Sequence, residues 1–316
     1  MKFGNKTMGI AAAVLSAVCY GLNPLGALKL YATGMNTDSV LFGRFLFGSC
    51  MLFCFLVLEH KELKVALKDL LIIAPLGLLF GISALSLYSS FHYMPGGIAS
   101  TLLFLYPMVV ALMMALFFHE SLSFMARFAM VMSFCGVAML SFGDQFAWNW
   151  YGAGLVAVSI ISYALYMVIV NKSPVRMSSI KLSAYVMVFC TLTIALFAQF
   201  SEERTLTLPQ TLQQWFYILM LSLVPCVFSM VLLAVAIRRV GSTVTAVLGA
   251  FEPLTAVIIG VVVFNEPLTS MLTGGIVLIL TAVTLITAGT TSRVHMTEVM
   301  TALGTKVKHW RWKHIA

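Results

Sequence analysis

Ten long apolar runs constrain this chain more than any other feature. They lie at roughly residues 8 to 28, 37 to 58, 70 to 93, 96 to 118, 122 to 142, 151 to 170, 179 to 200, 213 to 237, 242 to 264 and 268 to 289. A helix that crosses a bilayer needs about 20 mostly apolar residues. Lipid offers no water to unpaired backbone groups, so only helices and closed barrels can span it. Barrel strands read as segments of about 10 alternating residues, whereas these runs are continuous and twice that long. The chain is therefore expected to be an all-α integral membrane protein with ten transmembrane helices. Composition agrees, because 61% of the residues are hydrophobic and 9% are charged, against about 25% charged in soluble domains.

The N-terminal stretch "MKFGNKTMGIAAAVLSAVCYG" has the basic head and apolar core of a signal peptide. Val18 before Cys19 is a poor cleavage residue, and Pro24 and Leu25 continue the segment. It reads as the first spanning helix. The charge pattern then orients the chain. With the N-terminus in the cytoplasm, 16 of the 19 Lys and Arg residues fall in cytoplasmic connections or tails. Lys29 and Arg204 face the other side, and Arg44 lies inside the second run. This positive-inside bias predicts that both termini are cytoplasmic and that the helix count is even. In a bacterium the host membrane would be the inner one.

Two stretches repeat. Set "YPMVVALMMALFFHESLS" (106 to 123) above "EPLTAVIIGVVVFNEPLT" (252 to 269): at an offset of 146, Pro107 meets Pro253, Glu120 meets Glu266, and upstream Ser83 meets Ser229. At an offset of 143, Ser16 meets Ser159 and Tyr20 meets Tyr163. The chain divides into a first five-helix repeat over 1–145, a second over 146–290, and a basic tail over 291–316. An odd number of helices per half forces equivalent helices to cross in opposite directions. Inverted repeats with a site at mid-membrane between them are the architecture of many secondary transporters.

These features resemble the drug/metabolite transporter superfamily, and within it the ten-helix EamA-type exporters. The segment "YMPGGIASTLLFLYPMVVALMMALFFHESLS" and its twin "RRVGSTVTAVLGAFEPLTAVIIGVVVFNEPLT" carry the resemblance, which extends from about Met8 to Gly289. It implies a secondary transporter working by alternating access on a small-molecule substrate, with amino acid export first. Uptake of a vitamin or nucleoside-like metabolite is the alternative. It implies no cofactor, and an oligomer is not required.

Particular residues could carry transport. Glu252, about 11 residues into its run, sits near mid-depth, where a charge costs about 2.5 kcal/mol or more on insertion scales. Pro253 after it lacks an N–H and leaves the Gly249 carbonyl unpaired in a regular helix. The pair reads as a substrate or proton-coupling site, or as a structural Glu bonded to a neighbouring helix. In "CYGLNPLG", Asn23 and Pro24 interrupt the first run; Pro24 frees the Tyr20 carbonyl. Tyr20, Tyr88, Tyr106, Tyr163 and Tyr166 lie at mid-helix positions and suit an adaptable, partly apolar cavity. Ser83, Ser86 and Ser90 share a helical face, to line that cavity or, with Gly77 and Gly81, to pack closely. Arg44 is expected near the outer boundary, to reach water by stretching or to act as an external gate. Glu120 and Glu266 each precede a new helix and read as caps for it, with gating as the second role.

Other classes find little support. The six cysteines lie inside apolar runs without a Cys-x-x-Cys pair and read as packing residues. No His-Glu-x-x-His, Gly-x-Ser-x-Gly or Walker lysine loop is present, so neither an enzyme nor a metal site is expected. A channel would more often be an oligomer with one filter segment per chain. The tail "TKVKHWRWKHIA" mixes basic residues with Trp310 and Trp312, which suits anionic lipid heads rather than nucleic acid.

Overall fold

The computed structural model describes residues 2–119, 124–141, 149–175, 177–199 and 206–285, and no strand occurs among them. Thirteen helices follow in order: α1 (Lys2–Gly21), α2 (Asn23–Tyr31), α3 (Thr37–Leu58), α4 (Leu67–Ser90), α5 (Gly96–Leu103), α6 (Tyr106–Phe118), α7 (Phe124–Ser141), α8 (Trp150–Lys172), α9 (Ser179–Gln199), α10 (Leu212–Ser222), α11 (Ser229–Leu248), α12 (Phe251–Phe264) and α13 (Ser270–Leu285). A π-helical turn, Leu223–Phe228, joins α10 to α11. Seven helical segments are long and apolar enough to cross a membrane, and Arg127–Met139, Phe251–Phe264 and Ser270–Leu285 are shorter apolar helices.

Local chemistry sets the helix starts. Asn36 accepts a bond from the Ser39 N–H at α3, and Asn149 does the same for Gly152 at α8. Thr211 and Gln214 form a reciprocal capping box at α10, the arrangement that satisfies two orphan donors at once. The ends of α6 and α12 match across the repeat register, because His119 and Asn265 both close their helices in the left-handed conformation, at φ 53° and 54°.

Three expected spans are broken. The first run splits at Leu22 into α1 and α2, with Pro24 at the start of the second piece. The fourth splits at Phe104 and Leu105 ahead of Pro107, and the ninth at Gly249 and Ala250 ahead of Pro253. Gly241 separates the end of the eighth run from the start of the ninth; its φ of 83° and ψ of 166° interrupt α11, a conformation that glycine adopts without a Cβ penalty.

Long-range packing brings distant segments together. α1 lies along α11, α4 lies between α8 and α9, α3 packs on α9, and α5 packs on α12. Two serine pairs pin these contacts. The Ser16 hydroxyl donates to the Ser229 carbonyl at 2.7 Å, and the Ser229 hydroxyl donates back to the Ser16 carbonyl at 3.0 Å. The Ser159 hydroxyl donates to the Ser83 carbonyl at 2.8 Å, with the two hydroxyls 2.9 Å apart. Glycines set the closest approaches: Gly77 lies against Phe189, and a Cβ on Gly97 would fall 2.9 Å from the Val257 Cα. The outer faces carry large apolar side chains such as Leu58, Phe117, Phe134 and Val262. So much exposed apolar surface suits lipid and not water.

Candidate functional site

The broken helices place their polar residues around Arg44. On α1 and α2 the Asn23 side chain folds back and donates to the Tyr20 carbonyl at 2.8 Å. The acceptor freed by Pro24 is thus satisfied by the residue beside it. The Asn23 Oδ1 then accepts from the Tyr88 hydroxyl at 3.1 Å, and that hydroxyl oxygen accepts from Arg44 Nη1 at 2.6 Å. The Arg44 Nε donates to the Cys226 sulfur at 3.4 Å. The guanidinium carbon lies 5.2 Å from the Phe45 ring centre, 5.3 Å from Tyr88 and 6.0 Å from Tyr20. Stacking of this kind is favourable for arginine, more so where water is excluded.

Arg44 therefore does not stretch toward a boundary. It is 4% exposed and turned inward, because Tyr88, Cys226 and three aromatic faces hold it there. Cys226 was expected only to pack. It reaches Arg44 because it lies in the π-helical turn at Pro225, and such turns redirect side chains and often mark functional sites.

Glu252 opens α12 at the break. The Gly249 carbonyl accepts from the Glu252 N–H at 2.9 Å, so the acceptor freed by Pro253 is taken by a tighter turn and does not stay open. Glu252 is half-buried. It lies within electrostatic reach of Arg44, Tyr20, Tyr106 and Tyr163. Its backbone carbonyl faces Gly21, where a Cβ would come to 2.5 Å.

An aromatic wall completes the site. The Tyr106 and Tyr163 rings meet edge to face at 4.6 Å, Tyr163 stacks on Tyr166 at 5.7 Å, and Phe80 contacts both Tyr163 and Tyr166. Phe45 beside Arg44 meets Phe80 at 5.9 Å. The wall thus runs from α6 through α8 and α4 to α3. Of the residues expected from sequence, Tyr20, Asn23, Tyr88, Tyr106, Tyr163, Tyr166 and Glu252 come together here, and Arg44 joins them.

Ser83 does not. Its hydroxyl is taken up by Ser159 between α4 and α8, so it fastens these helices, the packing role that its helical face allowed. An apolar crevice is lined by Leu15, Cys19, Phe55 and Val231.

Glu266 corrects another expectation. It does not cap the helix that follows it; Thr269 does, accepting from the Leu272 N–H at 3.1 Å. The Glu266 carboxylate instead accepts from the N–H groups of Gly96 and Gly97 at the start of α5 and packs on Gly260. Burial pushes its carboxyl above the usual range, while the two N–H groups pull it down. α5 and α12 are joined at this end by that carboxylate. Lys29 lies 5.5 Å from the Phe264 ring centre nearby, and Lys172 lies 4.6 Å from that of Phe118 at the far end of α6. Glu120 and the tail over 291–316 lie outside the described residues.

Comparison with known proteins places these features in a lineage. A curated "uncharacterized transporter" of Archaeoglobus fulgidus is 31% identical over 117 residues, which cover 36% of this chain. The match spans 41% of the relative's length. A crystal structure with 16% identity superposes with a TM-score of 0.62 and covers 90% of this chain and 96% of its own; at that identity it supports the fold alone. The model of the EamA-like transporter family matches twice, over residues 7–142 and 150–288. Those two matches take in most of the sequence, and the chain belongs to the EamA-like transporter family, a family of membrane transporters.

Proposed function

We propose that this protein is a secondary-active exporter of small metabolites, amino acids first, built from two inverted five-helix repeats and working by alternating access. The observation that carries the reading is the polar constellation of Asn23, Arg44, Tyr88 and Glu252, in which Asn23 and Glu252 lie at helix breaks inside apolar spans and Arg44 and Tyr88 reach them from α3 and α4. Ionisable residues at such depth are expensive and typically line a substrate or ion path, and interrupted helices at mid-membrane mark transporter sites.

Two pairs of contacts and one pair of helix ends support the inverted repeat. The Ser16–Ser229 and Ser83–Ser159 pairs interchange under the offsets of 143 and 146. Lys29 with Phe264 and Lys172 with Phe118 interchange in the same way. His119 and Asn265, which close equivalent helices, are the third pair.

The charge bias puts both termini in the cytoplasm, and the Glu266 end of α5 and α12 outside. In that orientation the external ends of α5 and α12 are sealed by Gly97 on Val257 and by the Glu266 carboxylate. α6 packs on α8 and buries no residue fully.

Reporter fusions test the orientation. Fusions at Thr291 and near Asp144 are expected to give opposite readings; an external C-terminus would overturn both the topology and the inversion. Untargeted profiling of the culture medium tests the function itself. Cells that overproduce the protein are expected to release a defined set of small metabolites that a null strain retains. Accumulation inside the cells instead would reverse the direction.

A further inference from the structure

The start of α5 is wedged between two broken helices. A Cβ on Gly96 would fall 2.8 Å from the Pro24 Cβ on α2, and one on Gly97 would fall 2.9 Å from the Val257 Cα on α12. Pro24 follows Asn23, and Val257 lies one turn beyond Pro253, so this stretch of backbone sits against the breaks that carry Asn23 and Glu252. Its own sequence gives it no cap. The first N–H groups of a helix have no partner within it, and Pro95 at the N-cap offers no side-chain bond. The N–H groups of Gly96 and Gly97 are taken instead by Glu266, from beyond the far end of α12. α12 ends so as to deliver it. Asn265 at φ 54° turns the chain back, the Glu266 N–H donates to the Gly260 carbonyl at 3.0 Å, and the carboxylate lies over Gly260, where a side chain would displace it. The helix dipole favours a carboxylate at this end of α5 as well.

We infer that the first turn of α5 is the plug that closes the site toward the outside, and that Glu266 is its latch. A cap supplied by another helix exists only while the two helices are docked, so opening toward the outside has to break the bonds from Glu266 to Gly96 and Gly97. With glycine at positions 96, 97 and 260, that carboxylate is the specific contact at this end, and its release frees α5 from both Pro24 and Val257. The inference rests on the reading of the protein as an alternating-access transporter and names the residue that holds one of its two closures.

Hydrogen exchange of purified full-length protein in lipid nanodiscs reads the latch without any cargo. Glu266→Ala is expected to speed exchange at the start of α5 by about 10- to 100-fold, the scale of hydrogen bonds to a charged group. Glu266→Gln, which keeps an acceptor and loses the charge, should speed it several-fold. Gly260→Ala displaces the same carboxylate without altering it and should match Glu266→Ala; the two combined should do no more than either alone, because they break one contact. A thiol introduced by Ala99→Cys, at a fully buried position of α5, then reports the plug. In right-side-out vesicles an impermeant maleimide should reach that thiol faster in each latch variant than in the Ala99→Cys parent, with the labelled position read by mass spectrometry. In inverted vesicles the variants and the parent should label alike. Unchanged exchange at α5 overturns the latch, as do additive effects of Glu266→Ala and Gly260→Ala. Faster exchange without faster labelling from outside overturns the plug, and labelling that rises from both sides reports a loosened fold and overturns it too. The Gln and Gly260 variants carry the test if Glu266→Ala does not fold. Faster outside labelling in the variants, beside a wild type that releases no metabolite, would remove the transporter reading and keep the latch.

Discussion

Replacing Glu252 with Gln is expected to abolish pH-driven transport. Glu252 is the acidic residue at mid-depth among the described helices, at the start of α12, next to the break at Gly249 and Ala250. Gln keeps the shape and cannot release a proton. Removing a charge from mid-membrane saves burial cost, about 2.5 kcal/mol on insertion scales, so the variant should fold at least as well as wild type. Measured in proteoliposomes under an imposed pH gradient, uptake or efflux should fall to background. Exchange of labelled substrate at equal pH separates two roles. It persists if Glu252 serves coupling alone and disappears if the carboxylate also holds the cargo. Normal pH-driven transport by the variant would mean that Glu252 is structural.

The second large effect lies in packing. A side chain at Gly77 would run into Phe189, with the Val186 carbonyl at 3.0 Å. The neighbouring contact is equally close, since the Cys190 thiol donates to the Gly77 carbonyl at 3.3 Å. Gly77→Leu must therefore push α4 off α9. Overpacking of this kind costs about 1–3 kcal/mol or more, a large part of the roughly 5–15 kcal/mol that holds a domain together. The amount of protein folded in the membrane should drop, and its melting temperature should fall. Gly154 makes the control, because a Cβ there meets nothing within 4 Å. Gly154→Leu should leave both quantities unchanged, and equal losses in the two variants would show that α4 and α9 do not pack through Gly77.

The serine pairs show where the sequence leaves the role of an individual residue open. Ser83, Ser86 and Ser90 share one helical face, and that periodicity cannot distinguish a cavity wall from a helix contact. The partner decides it, and Ser159 lies 76 residues away. Glu266 fails for a similar reason. Its position just before a helix suggests a local cap, yet the N–H groups of Gly96 and Gly97 come into reach only when α5 packs on α12. Arg44 is the clearest instance. Depth along a helix suggests which water a long side chain can reach, but not that Tyr88, Tyr20 and Cys226 from three other segments surround it.

By itself the sequence determined the helical membrane class, since unbroken apolar runs of that length permit no other solution in lipid. It also marked two of the breaks, at Pro24 and Pro253, where the ring removes a helical hydrogen bond, although Pro75 stays inside an unbroken α4. The mid-helix tyrosines and Glu252 were legible as well, because a polar group within an apolar run stands out without any knowledge of its neighbours. Tertiary structure alone decided which of these groups meet. The relay from Arg44 through Tyr88 and Asn23 to Tyr20 joins three segments of the chain, and the π-helical turn that brings Cys226 into it has no periodic signature. Such contacts depend on the relative rotation of whole helices, and that rotation is set by close approaches such as Gly77 on Phe189 and Gly21 on the Glu252 carbonyl, each the sum of many weak contacts between residues far apart in the chain.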